Sequence, residues 1–134
     1  MTFEEVASAI RLAKLPACDA VVGIGSGGVV PASLIAYKLQ SPLNIMWINY
    51  RSADNRPQYP TPHILQDFEL SADVERILLV DDVVVTGKTL AIARAQFPDI
   101  DVITFALKGK ADIVLFPELS ECVQWPWHIN SDRS

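Results

Sequence analysis

Basic residues are scarce in this chain. Eleven lysines and arginines face 16 acids over 134 residues, giving a formal charge of −5 and a pI near 4.8. A domain that grips duplex DNA or bare RNA needs a basic face to neutralise phosphates, so nucleic acid is excluded as the main partner. Long apolar runs are missing as well. Lys38, Asp54 and the Asp81-Asp82 pair interrupt every candidate, and none reaches the roughly 20 residues that cross a bilayer, so no membrane partner is expected. Met1 to Ile10 carries Glu4 and Glu5 and no basic residue ahead of an apolar stretch, which is not the pattern of a signal peptide. Cysteine is limited to Cys18 and Cys122, far apart and at no zinc spacing. They read as two reduced thiols in a cytoplasmic protein. The two histidines, His63 and His128, have no partner at catalytic or metal spacing. What remains is a small α/β enzyme or binding domain.

What is present is a core: 50% of the residues are hydrophobic and 20% charged, enough for one folded domain over 1–134. Thr2 and Glu5 form a capping box, and Phe3, Val6, Ile10 and Ala13 recur at helical spacing to about Lys14, before Pro16. Asp19 to Ile24 reads as a buried strand, and Val29 to Leu39 as a helix with Pro31 in its first turn. Leu43 to Ile48 is a second strand. Tyr50 to Pro62, with Pro57, Pro60 and Pro62 among charged residues, is a loop. His63 to Leu70 suits a half-buried strand, Arg76 to Val80 a buried one, Thr89 to Gln96 a helix, and Asp101 to Leu107 and Ile113 to Phe116 further strands. Strands alternating with helices predict a mostly parallel sheet with helices on both faces. Ligands in such folds sit at the carboxyl ends of strands, which directs attention to the loops after Ile24, Ile48, Val80 and Leu107.

Two glycine loops need sorting. Gly23, Gly25 and Gly28 fit G-x-G-x-x-G, but the next strand ends Ile48-Asn49-Tyr50-Arg51 and offers no acid for a dinucleotide ribose. The segment is then either a tight turn packing helix on strand, or amides of Ser26 to Val29 facing a phosphate or pyrophosphate. Gly87-Lys88-Thr89 looks like the tail of a P-loop, yet position 82, where that loop needs glycine, is Asp.

The informative stretch runs from Ile77 to Leu90, ILLVDDVVVTGKTL. An apolar strand ends in Asp81 and Asp82, and four residues on a hydroxyl, a glycine, a lysine and a second hydroxyl open a helix. Amides of Thr86 to Thr89 suit a dianionic phosphate. Carboxylates repel phosphate, so the acid pair should face hydroxyls or a hydrated divalent metal. Phosphate at one end and diol-binding acids at the other describe a pentose 5-phosphate. The plainer alternative, a turn or cap, leaves two acids at a strand end without a partner, which is costly.

This segment resembles the phosphoribosyl-pyrophosphate signature of type I phosphoribosyltransferases. Gly25-Ser26-Gly27-Gly28 falls where that family has its pyrophosphate loop, Tyr50 to Pro62 where it has a mobile loop, and Val123-Gln124-Trp125-Pro126-Trp127 where it has a hood over the base. Length, loop order and the closing Pro-Trp are most similar to the bacterial xanthine-guanine branch. The resemblance implies a core over about 17–110 and a C-terminal hood over about 111–130. It implies a reaction in which phosphoribosyl pyrophosphate, with Mg2+, and a nucleobase, purine favoured, give a nucleoside 5′-monophosphate and pyrophosphate. Asp81 and Asp82 would be the catalytic acids, holding the ribose hydroxyls directly or through metal-bound water. Val85, Thr86, Gly87, Lys88 and Thr89 would hold the 5-phosphate. Gly25, Ser26, Gly27, Gly28 and Arg51 would meet the pyrophosphate, and Lys108, Cys122 and Val123 the base. Relatives of this kind assemble as homodimers or homotetramers.

Three positions depart from the oxopurine pattern. Val85 stands where those relatives have a proton-handling aspartate, and a general acid/base contributes about two to four orders of magnitude. Ser26 stands where they have arginine or lysine, leaving the pyrophosphate charge to Arg51 or Arg56. Cys122 stands where they stack an aromatic on the purine, so that either Trp125 or Trp127 substitutes or the pocket is shaped for another base. The departures concern the handling of the base and of the leaving group, while the acid pair and the Thr86 to Thr89 turn that would hold the ribose phosphate are intact. The alternative reading is a catalytically weak or inactive regulatory protein that binds phosphoribosyl pyrophosphate or nucleotide.

Overall fold

Strands that are apolar at consecutive positions are stable when both faces of their sheet are covered, and the chain builds that arrangement. The computed structural model describes residues 1–49, 63–64 and 70–127. Its elements are α1 (Phe3–Leu12), β1 (Ala20–Gly25), α2 (Val29–Leu39), β2 (Leu43–Asn49), β3 (His63–Ile64), β4 (Arg76–Val84), α3 (Lys88–Arg94), β5 (Asp101–Gly109) and β6 (Ile113–Val114). They form one six-stranded sheet in the order β3-β2-β1-β4-β5-β6. All neighbours pair in parallel except β3, which is antiparallel to β2. The α/β sheet with flanking helices expected from the sequence is the one observed.

Alternation along β4 shows how the two faces are filled. Leu78 and Val80 join Val6 and Ile10 of α1, Ala32, Ile35 and Ala36 of α2, and Trp125 in one core. Ile77 and Leu79 join Leu90 and Ala93 of α3 and Phe97 in the other. Each fully buried Leu or Ile contributes about 1.5–3 kcal/mol relative to exposure.

Local signals explain the ends of α1. The Thr2 hydroxyl accepts from the Glu5 amide and the Glu5 carboxylate accepts from the Thr2 amide, both at 3.1 Å. The helix stops at Leu12, short of Lys14, because Ala13 turns extended and its free carbonyls find another donor. Lys38 of α2 donates to the carbonyls of Ile10 and Arg11, each at 2.9 Å, and to that of Ala13. α2 has the predicted bounds and ends on Gln40 in the left-handed region, φ 54°.

β4 and α3, at the site, and β6 differ from the sequence reading. β4 does not stop at Val80 but runs through both acids to Val84, because β5 pairs with it that far: Asp81 opposite Ala106, Val83 opposite Lys108, Val84 opposite Gly109. α3 starts at Lys88 and ends at Arg94 instead of running to Gln96, and β6 is confined to Ile113 and Val114. The Tyr50 to Pro62 loop, positions 65–69 of the strand expected from His63 to Leu70, and His128 lie outside the described residues. Among the described residues no helix is long and apolar enough to cross a membrane.

Candidate active site

β1 and β4 are neighbours, yet the chain leaves them toward opposite sides of the sheet, β1 toward β2 and β4 toward β5. Such a switch point opens a crevice at the carboxyl ends of the two strands. Both segments singled out in the sequence meet there.

The first is the connection from β1 to α2. β1 ends at Gly25, α2 begins at Val29, and Ser26 to Gly28 make the whole turn. The Gly25-Ser26 peptide is cis. The Gly28 amide donates to the Ile24 carbonyl at 2.8 Å and the Val29 amide to the Ser26 carbonyl at 3.1 Å. Ser26 is exposed and Gly27 half-buried. Gly27 lies directly against Asp82: a Cβ built on it would fall 2.5 Å from Oδ2 and 2.6 Å from Oδ1. The glycine loop and the acid pair are therefore in contact.

The second is the end of β4 and the turn into α3. Asp81 accepts from the Asp82 amide through Oδ1 at 2.9 Å, and Asp82 accepts from the Val83 amide through Oδ1 at 2.7 Å. Burial, and then the charge of Asp82, push the Asp81 carboxyl well above the usual range. Asp81, Val83 to Val85, Thr86 to Thr89 and Leu90 line a pocket of about 280 Å³. Gly87 takes φ 86°, a left-handed turn with nothing within 4 Å of where a Cβ would be. The Thr86 hydroxyl accepts from the Lys88 amide at 3.3 Å. Val85 is 74% exposed on the pocket wall, an apolar side chain with no proton to exchange.

The residues expected around a base have mixed positions. Lys108 sits near the end of β5, opposite Val83, and donates through Nζ to the Glu121 carbonyl, which brings the following residues alongside that strand end. Cys122 is exposed, whereas Val123 packs against the core of the α1/α2 face. Trp125 corrects the expectation that it could replace a missing aromatic: it is 1% exposed, buried in that core. It stacks on Trp127 at 5.8 Å and 5°, and on Phe116 at 6.2 Å. A side chain committed to the core is not free to cover a base. Arg51 and Arg56 lie outside the described residues.

Trp47 is a residue at the site that carries no motif in the sequence. Its ring lies over Gly25, and it pairs with that residue in the β1/β2 ladder. The register of two adjacent parallel strands was the signal that could have found it.

Comparison with known proteins follows this geometry. The phosphoribosyl transferase domain family matches residues 7–95. The chain is 33% identical over 110 residues to a xanthine-guanine phosphoribosyltransferase of Cereibacter sphaeroides, covering 81% of this chain and 65% of that protein. It is 34% identical over 98 residues to the xanthine-guanine phosphoribosyltransferase of Roseobacter denitrificans, covering 69% and 56%. The chain thus spans less than two thirds of the length of these two curated relatives. Among solved structures, a purine phosphoribosyltransferase from Pyrococcus horikoshii superposes with a TM-score of 0.76 at 22% identity, over 97% of this chain and 93% of that one. A parallel sheet with its glycine loop and acid pair in contact at the switch point, and a family match that takes in both, make this chain a member of the type I phosphoribosyltransferase family, similar to its bacterial xanthine-guanine branch.

Proposed function

We propose that this chain joins a nucleobase to ribose 5-phosphate, taking phosphoribosyl pyrophosphate as donor and releasing pyrophosphate, with an oxopurine as the favoured base. The contact between Gly27 and the Asp82 carboxylate carries this reading. It supports the reading because the loop taken to bind the anion touches the acid pair taken to bind the diol, while Asp81 also lines the pocket of the hydroxyl-rich 86–89 turn. The choice of an oxopurine is supported by the names of the curated relatives.

Displacement at the anomeric carbon passes through an oxocarbenium-like state, so positive charge develops on the sugar. Asp81 and Asp82 stabilise that charge and orient the ribose hydroxyls. Backbone amides of Thr86 to Thr89 and the Thr hydroxyls hold the 5-phosphate, and Lys88 adds charge. The Ser26 to Gly28 amides, with Arg51, receive the departing pyrophosphate. Lys108 donates to an exocyclic oxygen of the base beside Cys122 and Val123. Val85 accepts no proton, so the ring nitrogen gives its proton to water. Positioning supplies most of the rate, as little covalent work is asked of the protein.

The acid pair also fits a magnesium ion. Asp81 and Asp82 offer hard carboxylate oxygens side by side, and the burial and the Asp82 charge that raise the Asp81 pKa are costs a bound cation would offset. Among the described residues no group of three or more His, Cys, Asp or Glu forms a full protein cage, which suits an ion sharing its shell with water and substrate oxygens. When bound, such an ion neutralises the pyrophosphate and makes it a better leaving group.

The test is pyrophosphate release from magnesium phosphoribosyl pyrophosphate with guanine, xanthine, hypoxanthine, adenine, orotate and uracil in parallel. Release is expected with an oxopurine, and its loss by at least about 100-fold in Asp82→Asn, given what electrostatic stabilisers contribute. Binding of the donor without release for any base would replace this reading with that of a regulatory binding protein.

A further inference from the structure

Trp47 is placed oddly for a core residue. Its chain neighbour Met46 is wholly buried, while Trp47 remains 38% exposed at the carboxyl end of β2. It belongs to neither of the two core clusters, although Ile48 packs against one of them. What it does touch is Gly25. The two are partners at the last step of the β1/β2 ladder. A Cβ on Gly25 would stand 2.4, 2.6 and 2.8 Å from ring atoms Cε3, Cζ3 and Cδ2. The six-membered ring therefore lies over the Gly25 Cα, leaving no room for a side chain.

We propose that Trp47 is the positioning residue of the 25–28 loop: its indole fixes where β1 ends, and thereby aims the Ser26 to Gly28 amides at a diphosphate. At its far end Gly28 is held by its amide on the Ile24 carbonyl and by close packing on Val80. On one side Gly27 rests on Asp82; on the other Gly25 is clamped by the indole. Removing the ring leaves Gly25 free to shift, and amides that drift by an ångström lose their aim at an anion. An aromatic at this place serves where an aliphatic would not, because a flat rigid ring covers a Cα without filling the crevice. The inference rests on the reading of this loop as the pyrophosphate site.

Calorimetric titration with magnesium pyrophosphate tests both ideas separately. Wild-type protein that fails to bind overturns the reading of the loop, and this inference with it. With binding in hand, Trp47→Ala is expected to weaken pyrophosphate about tenfold and to raise KM for the donor by a similar factor at little-changed kcat, while Trp47→Phe restores most of the affinity. Gly25→Ala should be weakened as well, through its clash with the ring, and adding Trp47→Ala to it should cost less than the two single losses combined. Pyrophosphate should shift the tryptophan emission of the wild type, and Trp47→Phe should abolish that shift. Equal pyrophosphate affinity in folded wild type, Trp47→Ala and Trp47→Phe overturns the proposal. Where Trp47→Ala does not fold, the emission shift and the Trp47→Phe affinity decide alone: no shift that depends on Trp47 overturns it.

Discussion

A methyl group added at Gly27 would stand 2.5 Å from Oδ2 of Asp82 and drive that carboxylate from its seat. On the proposed function, Gly27→Ala is therefore expected to lower pyrophosphate release at least about tenfold, because the displaced acid would no longer meet the sugar. The thermal midpoint should move little, since what gives way is the end of a side chain and not the backbone. Steady-state rates and a melting curve on the same preparation check this, and unchanged rates would mean that Asp82 works from another position. At this scale the local chemistry was legible. Asp81, Asp82, Thr86 and Thr89 announce themselves by residue type and spacing within one short segment. The contacts of Gly27 with Asp82 and Gly25 with Trp47 were not legible, because each joins residues distant in the chain and depends on which strands lie side by side. Trp125 failed for a related reason. Sequence shows an aromatic near the end of the chain but not which way it faces.

Helix ends show the same division between local and distant causes. The start of α1 could be read from Thr2 and Glu5, whose reciprocal hydrogen bonds are four residues' work. Its end could not, because the group that satisfies the carbonyls of Ile10, Arg11 and Ala13 is Lys38, contributed by α2. Lys38→Met keeps the stem and removes the donor. It is expected to destabilise the protein by about 1.5–3 kcal/mol, the range for hydrogen bonds to a charged group. Urea unfolding of the two proteins measures it, and equal midpoints and slopes would show that water replaces the ammonium group without loss. β4 was cut short in the sequence for a different reason. Charge ends an apolar run, but a strand is held by its ladder, and β5 supplies one past both acids to Val84. The acids are consequently fixed by sheet geometry, which is a firmer support for chemistry than a loop.

Across the whole molecule, carboxylates with lowered pKa link stability to pH, Asp112 and Asp19 among them. The Asp112 carboxylate accepts from the Thr104 amide at 3.0 Å, and that bond, helped by the Thr104 side chain and the Arg94 charge, holds it below the usual 3.8. Asp19 accepts from the amides of Glu75 and Arg76 at 2.9 and 3.0 Å and is lowered likewise. A folded pKa below the unfolded one adds stability above the unfolded value and loses it as pH falls through the folded value. The stability difference between wild type and Asp112→Asn should be full at about pH 6 and shrink below roughly pH 4. Unfolding at several pH values checks it, and a difference independent of pH would remove the carboxylate's charge from the account. The fold itself was legible from alternation of apolar runs, since a parallel sheet is an arrangement of whole elements. One consequence of the buried tail concerns synthesis. Trp125 closes a face whose other members run from Val6 to Leu107. As the chain leaves the ribosome those residues emerge first, and their apolar surface waits on the order of a second for the indole that covers it. During that interval the nascent protein presents the kind of surface that chaperones bind.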